Sequence, residues 1–250
     1  MPYNYFLAII LGILPSIVWL AFYLRKDIHP EPKKWLLLIF LAGMAIVPLV
    51  IIIEWQAIGF FNFLNSALPD FFNSFAKNLA IVFIGIAAIE EFFKYLVVRL
   101  AMKHNPVFDE PEDAMIYMIV AALGFAAVEN IMVMLLFSPA FFFDPALPLY
   151  ILGIRFIGAT FLHTLASAII GFYYALSLCK RDQCPANPRL LIAKGFAFAI
   201  ILHGVFNYFI IVSKETSAIY FSIPLMIIAV FVSKDFKILQ GISPRKFNNS

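Results

Sequence analysis

Four clusters of ionisable or strongly polar residues lie inside four different apolar runs of this chain. They are Glu90-Glu91 with Lys94, Glu129-Asn130, His163, and His203 with Asn207, each near the middle of its run. A charge at the centre of a bilayer is costly and survives only where it faces a protein interior or a wet cavity. Four clusters at matching depth therefore point to one shared polar site enclosed by a helix bundle.

The solvent follows from composition. The chain has 250 residues, of which 63% are hydrophobic and 13% charged, with a mean hydropathy of +0.93. A soluble domain is about half apolar and about a quarter charged. Water cannot solvate this surface, so the chain belongs in a lipid bilayer. A helix needs about 20 apolar residues to cross one. Runs of that size fall at 4–24, 35–53, 78–98, 114–137, 149–178, 190–212 and 217–233. The expected fold is all-α, a polytopic bundle of seven spans forming a single transmembrane domain over residues 1–250.

Charge distribution sets the expected orientation. Basic residues gather in Arg25, Lys26, Lys33 and Lys34, in Arg99 and Lys103, in Lys180, Arg181, Arg189 and Lys194, and in Lys234, Lys237, Arg245 and Lys246. The intervening loops hold only Lys77 and Lys214. This positive-inside alternation puts the N-terminus out and the C-terminus in. Residues 1–24 lack a basic n-region, so they read as a retained anchor. The net charge of +3 carries no nucleic-acid signal. Cys179 and Cys184 lie in a basic loop facing a reducing compartment, and read as incidental thiols.

Local chemistry adds detail. Asp113 is expected to cap the helix that follows it. The segment 54–77 carries Asn62, Ser66, Asp70, Asn73 and Lys77 at helical spacing among phenylalanines and leucines. It reads as an amphipathic helix in the outer interface, either an aromatic belt joining two spans or a gate beside the site. Arg155 is expected to snorkel to headgroups or to pair with an outer acid such as Glu54 or Asp144. His29 and His104 fall in loops and read as solvated.

The buried clusters carry the chemistry. Glu90 and Lys94 are four apart and share a helix face, whereas Glu91 points roughly 100° away from Glu90. The pair reads either as an ion pair locking two helices or as part of a general acid–base centre. The ion pair alone leaves Glu91 without a role. Glu129 is one turn beyond Phe125 and faces the same interior, next to Asn130. Beside it Gly124, Ala126 and Ala127 permit close approach of another helix. His163 lies between Thr160 and Ser167 in a polar stripe. His203 and Asn207 are one turn apart, with Gly204 leaving room, and such a pair can hold an oxyanion. Each of these reads alternatively as interhelical hydrogen-bonding glue. No Asp lies within a span and there is no H-E-x-x-H, which disfavours an aspartyl intramembrane protease and the familiar zinc-protease motif. Glu and His can instead activate water directly, or hold a metal that does so. Glu90, Glu129, His163 and His203 make a ligand set acceptable to a divalent metal such as zinc, and the same residues can work without one.

The ordered set Glu90-Glu91-Phe92-Phe93-Lys94, Phe125-Ala126-Ala127-Val128-Glu129-Asn130, His163 and His203-Gly204-Val205-Phe206-Asn207 resembles the PrsW family of intramembrane proteases, within the superfamily of type II CAAX prenyl proteases and bacterial CPBP proteins. The match covers four consecutive spans, residues 78–212. Prenyl proteases show E-E-x-x-x-R and F-x-x-x-H. Here Lys94 comes one position earlier and Glu129 replaces the histidine, as in the PrsW branch. The resemblance implies that Glu90 and Glu91 are essential, with a glutamate as base on the attacking water. It implies that His203 and Asn207 stabilise the oxyanion and that His163 matches the third motif. It also implies a single-span membrane protein as substrate, such as an anti-sigma factor cut on its extracytoplasmic side, and residence in a bacterial inner membrane. Two other classes stay open on the residues: an ion- or proton-coupled transporter, because intramembrane Glu, Lys and His also build proton relays, and a non-proteolytic scaffold binding transmembrane helices. Oligomeric state is not legible.

Overall fold

The structure is a computed structural model that describes residues 2–68, 73–144, 146–179, 187–213 and 217–242. Among these residues the regular elements are helices. They are α1 (Pro2–Tyr23), α2 (Lys33–Ala45), α3 (Val47–Ala67), α4 (Ser74–Ala80), α5 (Ile89–Met102), α6 (Asp113–Phe137), α7 (Leu147–Ile157), α8 (Ala159–Leu178), α9 (Pro188–Ser213) and α10 (Ser217–Gln240). A π-helical stretch, Ile81–Ala88, joins α4 to α5 without a break. Among the described residues, five stretches are long and apolar enough to cross a membrane: Tyr5–Lys26, Lys33–Ala67, Asp113–Phe141, Leu147–Leu178 and Pro188–Ile210.

Two expected spans are built differently from the sequence reading. The run at 35–53 does not end at 53. It jogs at Ile46, where Pro48, which has no N–H to give, starts a new helix near its first turn. The helix then runs unbroken through Glu54 to Ala67. The segment 54–77 is therefore not one helix: residues 69–72 lie outside the described residues, and α4 begins afresh with Asn73 accepting from the Ala76 N–H at 2.8 Å. The run at 149–178 is broken at Gly158 into α7 and α8. The carbonyl of Phe156, among those a helix end leaves without an intrahelical donor, accepts from Trp19 Nε1 of α1 at 2.9 Å. The Trp19 ring also stacks on Phe161 at 4.3 Å.

Helix α6 is the centre of the bundle. Every side chain from Asp113 to Ala127 is buried, enclosed by α1, α2 and α8. Lipid tails are as apolar as leucine, so association rests on close packing, which small residues allow. At Gly124 a Cβ would collide with the Phe40 carbonyl of α2, and at Gly43 with that of Ala121. At Gly171 of α8 a Cβ would sit 2.6 Å from Met115 Cα. This contact of α2 with α6 meets the expectation placed on Gly124, Ala126 and Ala127. Gly204 of α9 serves differently. The room it leaves is filled by the Phe83 ring of the π-helical stretch, 2.5 Å from where a Cβ would stand. These approaches bring the polar faces of α5, α6, α8 and α9 together.

Asp113 does not cap its own helix. It lies in the first turn of α6 and folds back, its Oδ2 accepting from the N–H groups of Asp109 at 3.0 Å and Glu110 at 2.8 Å. The His29 ring is exposed, as a solvated loop residue should be, yet its Nδ1 lies 2.8 Å from Glu110 and ties the α1–α2 loop to the α5–α6 loop. Cys184 lies outside the described residues.

Candidate active site

Lys94 organises the site. It is fully buried, and its ammonium has three hydrogens to place. Nζ lies 3.3 Å from Glu90 Oε2, 2.8 Å from Glu91 Oε1 and 2.8 Å from His163 Nδ1. The Phe125 ring covers it at 4.6 Å. Glu91 does not stand apart from Glu90, as its 100° offset suggested. Positions three and four residues before a lysine both lie within its reach on a helix surface, so one ammonium bridges both carboxylates. The carboxylates follow directly on the π-helical stretch, a rare conformation that recurs at functional sites.

The hydrogen-bond network sets the tautomer of His163 and the orientation of His203. Lys94 donates to Nδ1 of His163, so Nε2 carries the proton, which it donates to Glu129 Oε2 at 2.7 Å. His203 donates from Nδ1 to Glu91 Oε1 at 2.9 Å. Its Nε2 faces Glu90 Oε2 at 3.8 Å, while His163 Nδ1 lies 3.7 Å from the same oxygen. The two rings stand perpendicular, 5.0 Å apart. Two imidazoles thus bring one nitrogen each toward a single carboxylate oxygen, and each is held from behind by a second carboxylate.

Around this centre the network continues. Arg155 Nη2 lies 3.6 Å from Glu129 Oε2, and its Nε donates to Asn130 Oδ1. Asn130 in turn donates to Thr160 at 2.9 Å. Arg155 therefore joins the site rather than snorkelling or pairing with an outer acid. The break at Gly158 ends α7 so that its last turn delivers the arginine to α6. Ser167 donates to Glu91 Oε2 at 3.2 Å, which makes it a support for that carboxylate. Asn207 lies one turn beyond His203, half-buried, and among the described residues its side chain has no hydrogen-bonded partner.

One residue of the site escaped the sequence reading. Glu54 of α3 lies within electrostatic reach of Glu90, Glu129 and Lys94, and its helix neighbours Val50 and Ile51 pack with Phe125 beside the site. The signal was present in the spacing. Val47 and Val50 are buried, and Glu54, Ala57 and Phe61 continue the same helix face. A boundary drawn at residue 53 hid that register.

The donor set suits a divalent metal. Glu90, His163 and His203 offer ligand atoms that all lie within 4.8 Å of one another. Atoms bonded to a tetrahedral zinc at about 2.0–2.1 Å stand roughly 3.4 Å apart, so the group needs only a slight contraction. Glu129 and Glu91 are the outer carboxylates that commonly orient ligand histidines. At formal charge, the carboxylates of Glu54, Glu90, Glu91 and Glu129 outnumber the cations Lys94 and Arg155 by two, which a divalent ion offsets. Such an ion would compete with Lys94 for the Nδ1 lone pair of His163. Glu129 stands behind His163 and outside the converging set.

A family model described as "PrsW family intramembrane metalloprotease" matches residues 31–233. The chain belongs to this family. Protease PrsW of Geobacillus kaustophilus is 28% identical over 207 residues, covering 82% of this chain and 79% of the relative. Protease PrsW of Oceanobacillus iheyensis is 26% identical, covering 79% and 80%. Protease PrsW of Bacillus subtilis is 25% identical, covering 86% and 87%. No solved structure matches the chain. These PrsW relatives support an intramembrane peptidase, and the Glu/His/His group agrees with the metalloprotease description of the family.

Proposed function

We propose that this PrsW-family chain is an intramembrane endopeptidase that hydrolyses a single-span membrane protein near the membrane surface, of the anti-sigma-factor kind, in a bacterial inner membrane. The observation that carries the reading is the convergence of His163 Nδ1, His203 Nε2 and Glu90 Oε2, with Glu129 and Glu91 clamping the far nitrogens. Three ligand atoms of metal-binding type held within 4.8 Å of one another are more than helix packing requires.

In the reaction, water oxygen bonds to the scissile carbonyl carbon and the C–N bond breaks. One water proton ends on the departing amine and the other stays with the new carboxyl group. A glutamate of the site takes the proton from water and passes it to the amine nitrogen. Asn207 supplies an amide N–H to the developing oxyanion. His203 is held by Glu91 at Nδ1 and presents Nε2 to the centre, where without a metal it pairs with Asn207 at the oxyanion. Lys94 and Arg155 keep the carboxylates in place. A divalent metal held by Glu90, His163 and His203 would supply Lewis acidity toward a carbonyl or a water.

The reading includes seven spans. The stretch from Ser74 to Met102 is charged, but Glu90, Glu91 and Lys94 are buried in protein and need no lipid-facing place. With α10 also crossing, the N-terminus is outside and the C-terminus inside. Membership of the wider CAAX prenyl-protease superfamily belongs to the same proposal.

The test is reconstitution in proteoliposomes with labelled single-span membrane proteins, an anti-sigma factor among them, scored for cleavage and for ion flux. Wild-type protein should cut. Glu90→Gln should cut at least about a hundredfold more slowly and should lose bound zinc, with an unfolding temperature near that of wild type. Flux without cleavage, or a Glu90→Gln variant that cuts normally, overturns the reading.

A further inference from the structure

Every carboxylate of the site except one is committed. Glu90 Oε2 takes Lys94, Glu91 is held through both oxygens by Lys94, His203 and Ser167, and Glu129 takes His163 and Arg155. Glu54 is different. Among the described residues its Oε1 is buried and has no hydrogen-bond partner. A buried acceptor left without a donor is costly, and such groups in native proteins commonly mark a place that a ligand or water completes. Glu54 is also the one ionisable residue of α3, in a helix whose neighbouring positions are Ile51, Ile52, Ile53 and Trp55. A carboxylate in such a setting is retained for function rather than packing.

We propose that Glu54 is a further catalytic residue, whose Oε1 accepts a hydrogen bond from the attacking water and holds it beside Glu90. The inference rests on the protease reading above. Four facts support the placement. Glu54 lies within electrostatic reach of Glu90, a member of the Glu/His/His group, without itself belonging to that group. It enters from α3, outside the four motif-bearing segments, so it can face the water from the side they leave open. Its helix face is fixed by Val50 above, packed with Phe125, and by Ala57 and Phe61 below, 3.7 and 3.6 Å from where a Cβ on Gly85 of the π-helical stretch would stand. A water needs two to four polar partners, and the Glu54 and Glu90 carboxylates provide the first two. The oxygen–hydrogen bond aligned by Glu54 leaves a water lone pair free for the carbonyl carbon.

The test compares Glu54→Gln, which keeps an acceptor oxygen but not the charge, with Glu54→Met, which keeps the shape alone. Glu90→Gln runs beside them. The probe is a labelled single-span membrane protein cut in the assay above, followed in single turnover, together with zinc content and thermal unfolding in detergent. The expected order of rate is wild type, then Glu54→Gln about tenfold lower, then Glu54→Met about a hundredfold or more lower. KM and bound zinc should be unchanged in both Glu54 variants. The unfolding temperature of Glu54→Met should equal or exceed that of wild type, because an unpaired buried acceptor has been removed. A structural carboxylate gives the opposite, and a fall of more than about 5 °C in Glu54→Met overturns the proposal. So does wild-type cleavage by Glu54→Met, or loss of zinc from it. If Glu90→Gln is slow while Glu54→Met is normal, the water-holding role fails and the protease reading stands. If wild type cuts none of the probes, the protease reading fails and the thermal result decides whether Glu54 is packing.

Discussion

Two regions of this molecule bury carboxylates, and they do so for different ends. Where the α1–α2 loop meets the start of α6, Glu31 accepts from the Tyr117 hydroxyl at 2.5 Å, and Asp113 accepts from two loop N–H groups. Burial pushes the Glu31 carboxyl above its ordinary range. Here short donors of the surrounding chain meet the acids and staple loops to α6. In the centre of the bundle, the carboxylates meet one ammonium and two imidazoles, and one nitrogen of each imidazole turns inward. Burial of acids alone is thus no mark of chemistry. What separates the two regions is whether the acids meet donors of the nearby chain or a cation and two imidazoles gathered at a common point.

Breaking this contrast should be most drastic at Lys94. Lys94→Met leaves Glu90 and Glu91 without their shared cation, and loss of one partner of a buried ionic group costs about 3–5 kcal/mol. The variant should unfold far more easily in detergent and show no cleavage. Stability close to wild type would mean that the ammonium does not hold the two carboxylates. The staple region predicts a smaller and purely structural effect. Tyr117→Phe removes the donor to Glu31 and should cost about 1.5–3 kcal/mol in unfolding experiments. The single-turnover rate of the folded fraction should stay within about twofold of wild type. A large rate loss there would erase the distinction between the regions.

The smallest effect is expected at His29. Its hydrogen bond and attraction to Glu110 raise its pKa above the ordinary 6.5. A raised folded value means stabilisation that is complete below the unfolded pKa and is lost as pH climbs through the folded one. Between about pH 6 and pH 8 the unfolding temperature of wild type should therefore fall slightly relative to that of His29→Gln. Parallel curves would show that the loop pairing does not contribute.

Glycines and the arginine show where sequence reading stops. Gly124, Ala126 and Ala127 announced close packing, and α2 lies against Gly124 as their size requires. Gly204 announced room but not its occupant, Phe83, which lies far away in sequence. Arg155 was placed outside the site because depth along a run was judged as if the helix were continuous. The break at Gly158 re-aims the last turn of α7, and no propensity at 149–178 signals it strongly.

By itself the sequence determined the apolar solvent and the helical class, and it singled out Glu90, Glu91, Lys94, Glu129, His163 and His203, because charges in separate apolar runs cannot lie against lipid. Only the tertiary structure decided which nitrogen of each imidazole faces the centre, that Glu129 lies behind His163 rather than in the converging set, and that Glu54 comes within electrostatic reach of Glu90. Hydrogen-bond direction depends on partners from other helices, and that geometry is set by packing, to which a one-dimensional pattern of apolar runs is blind.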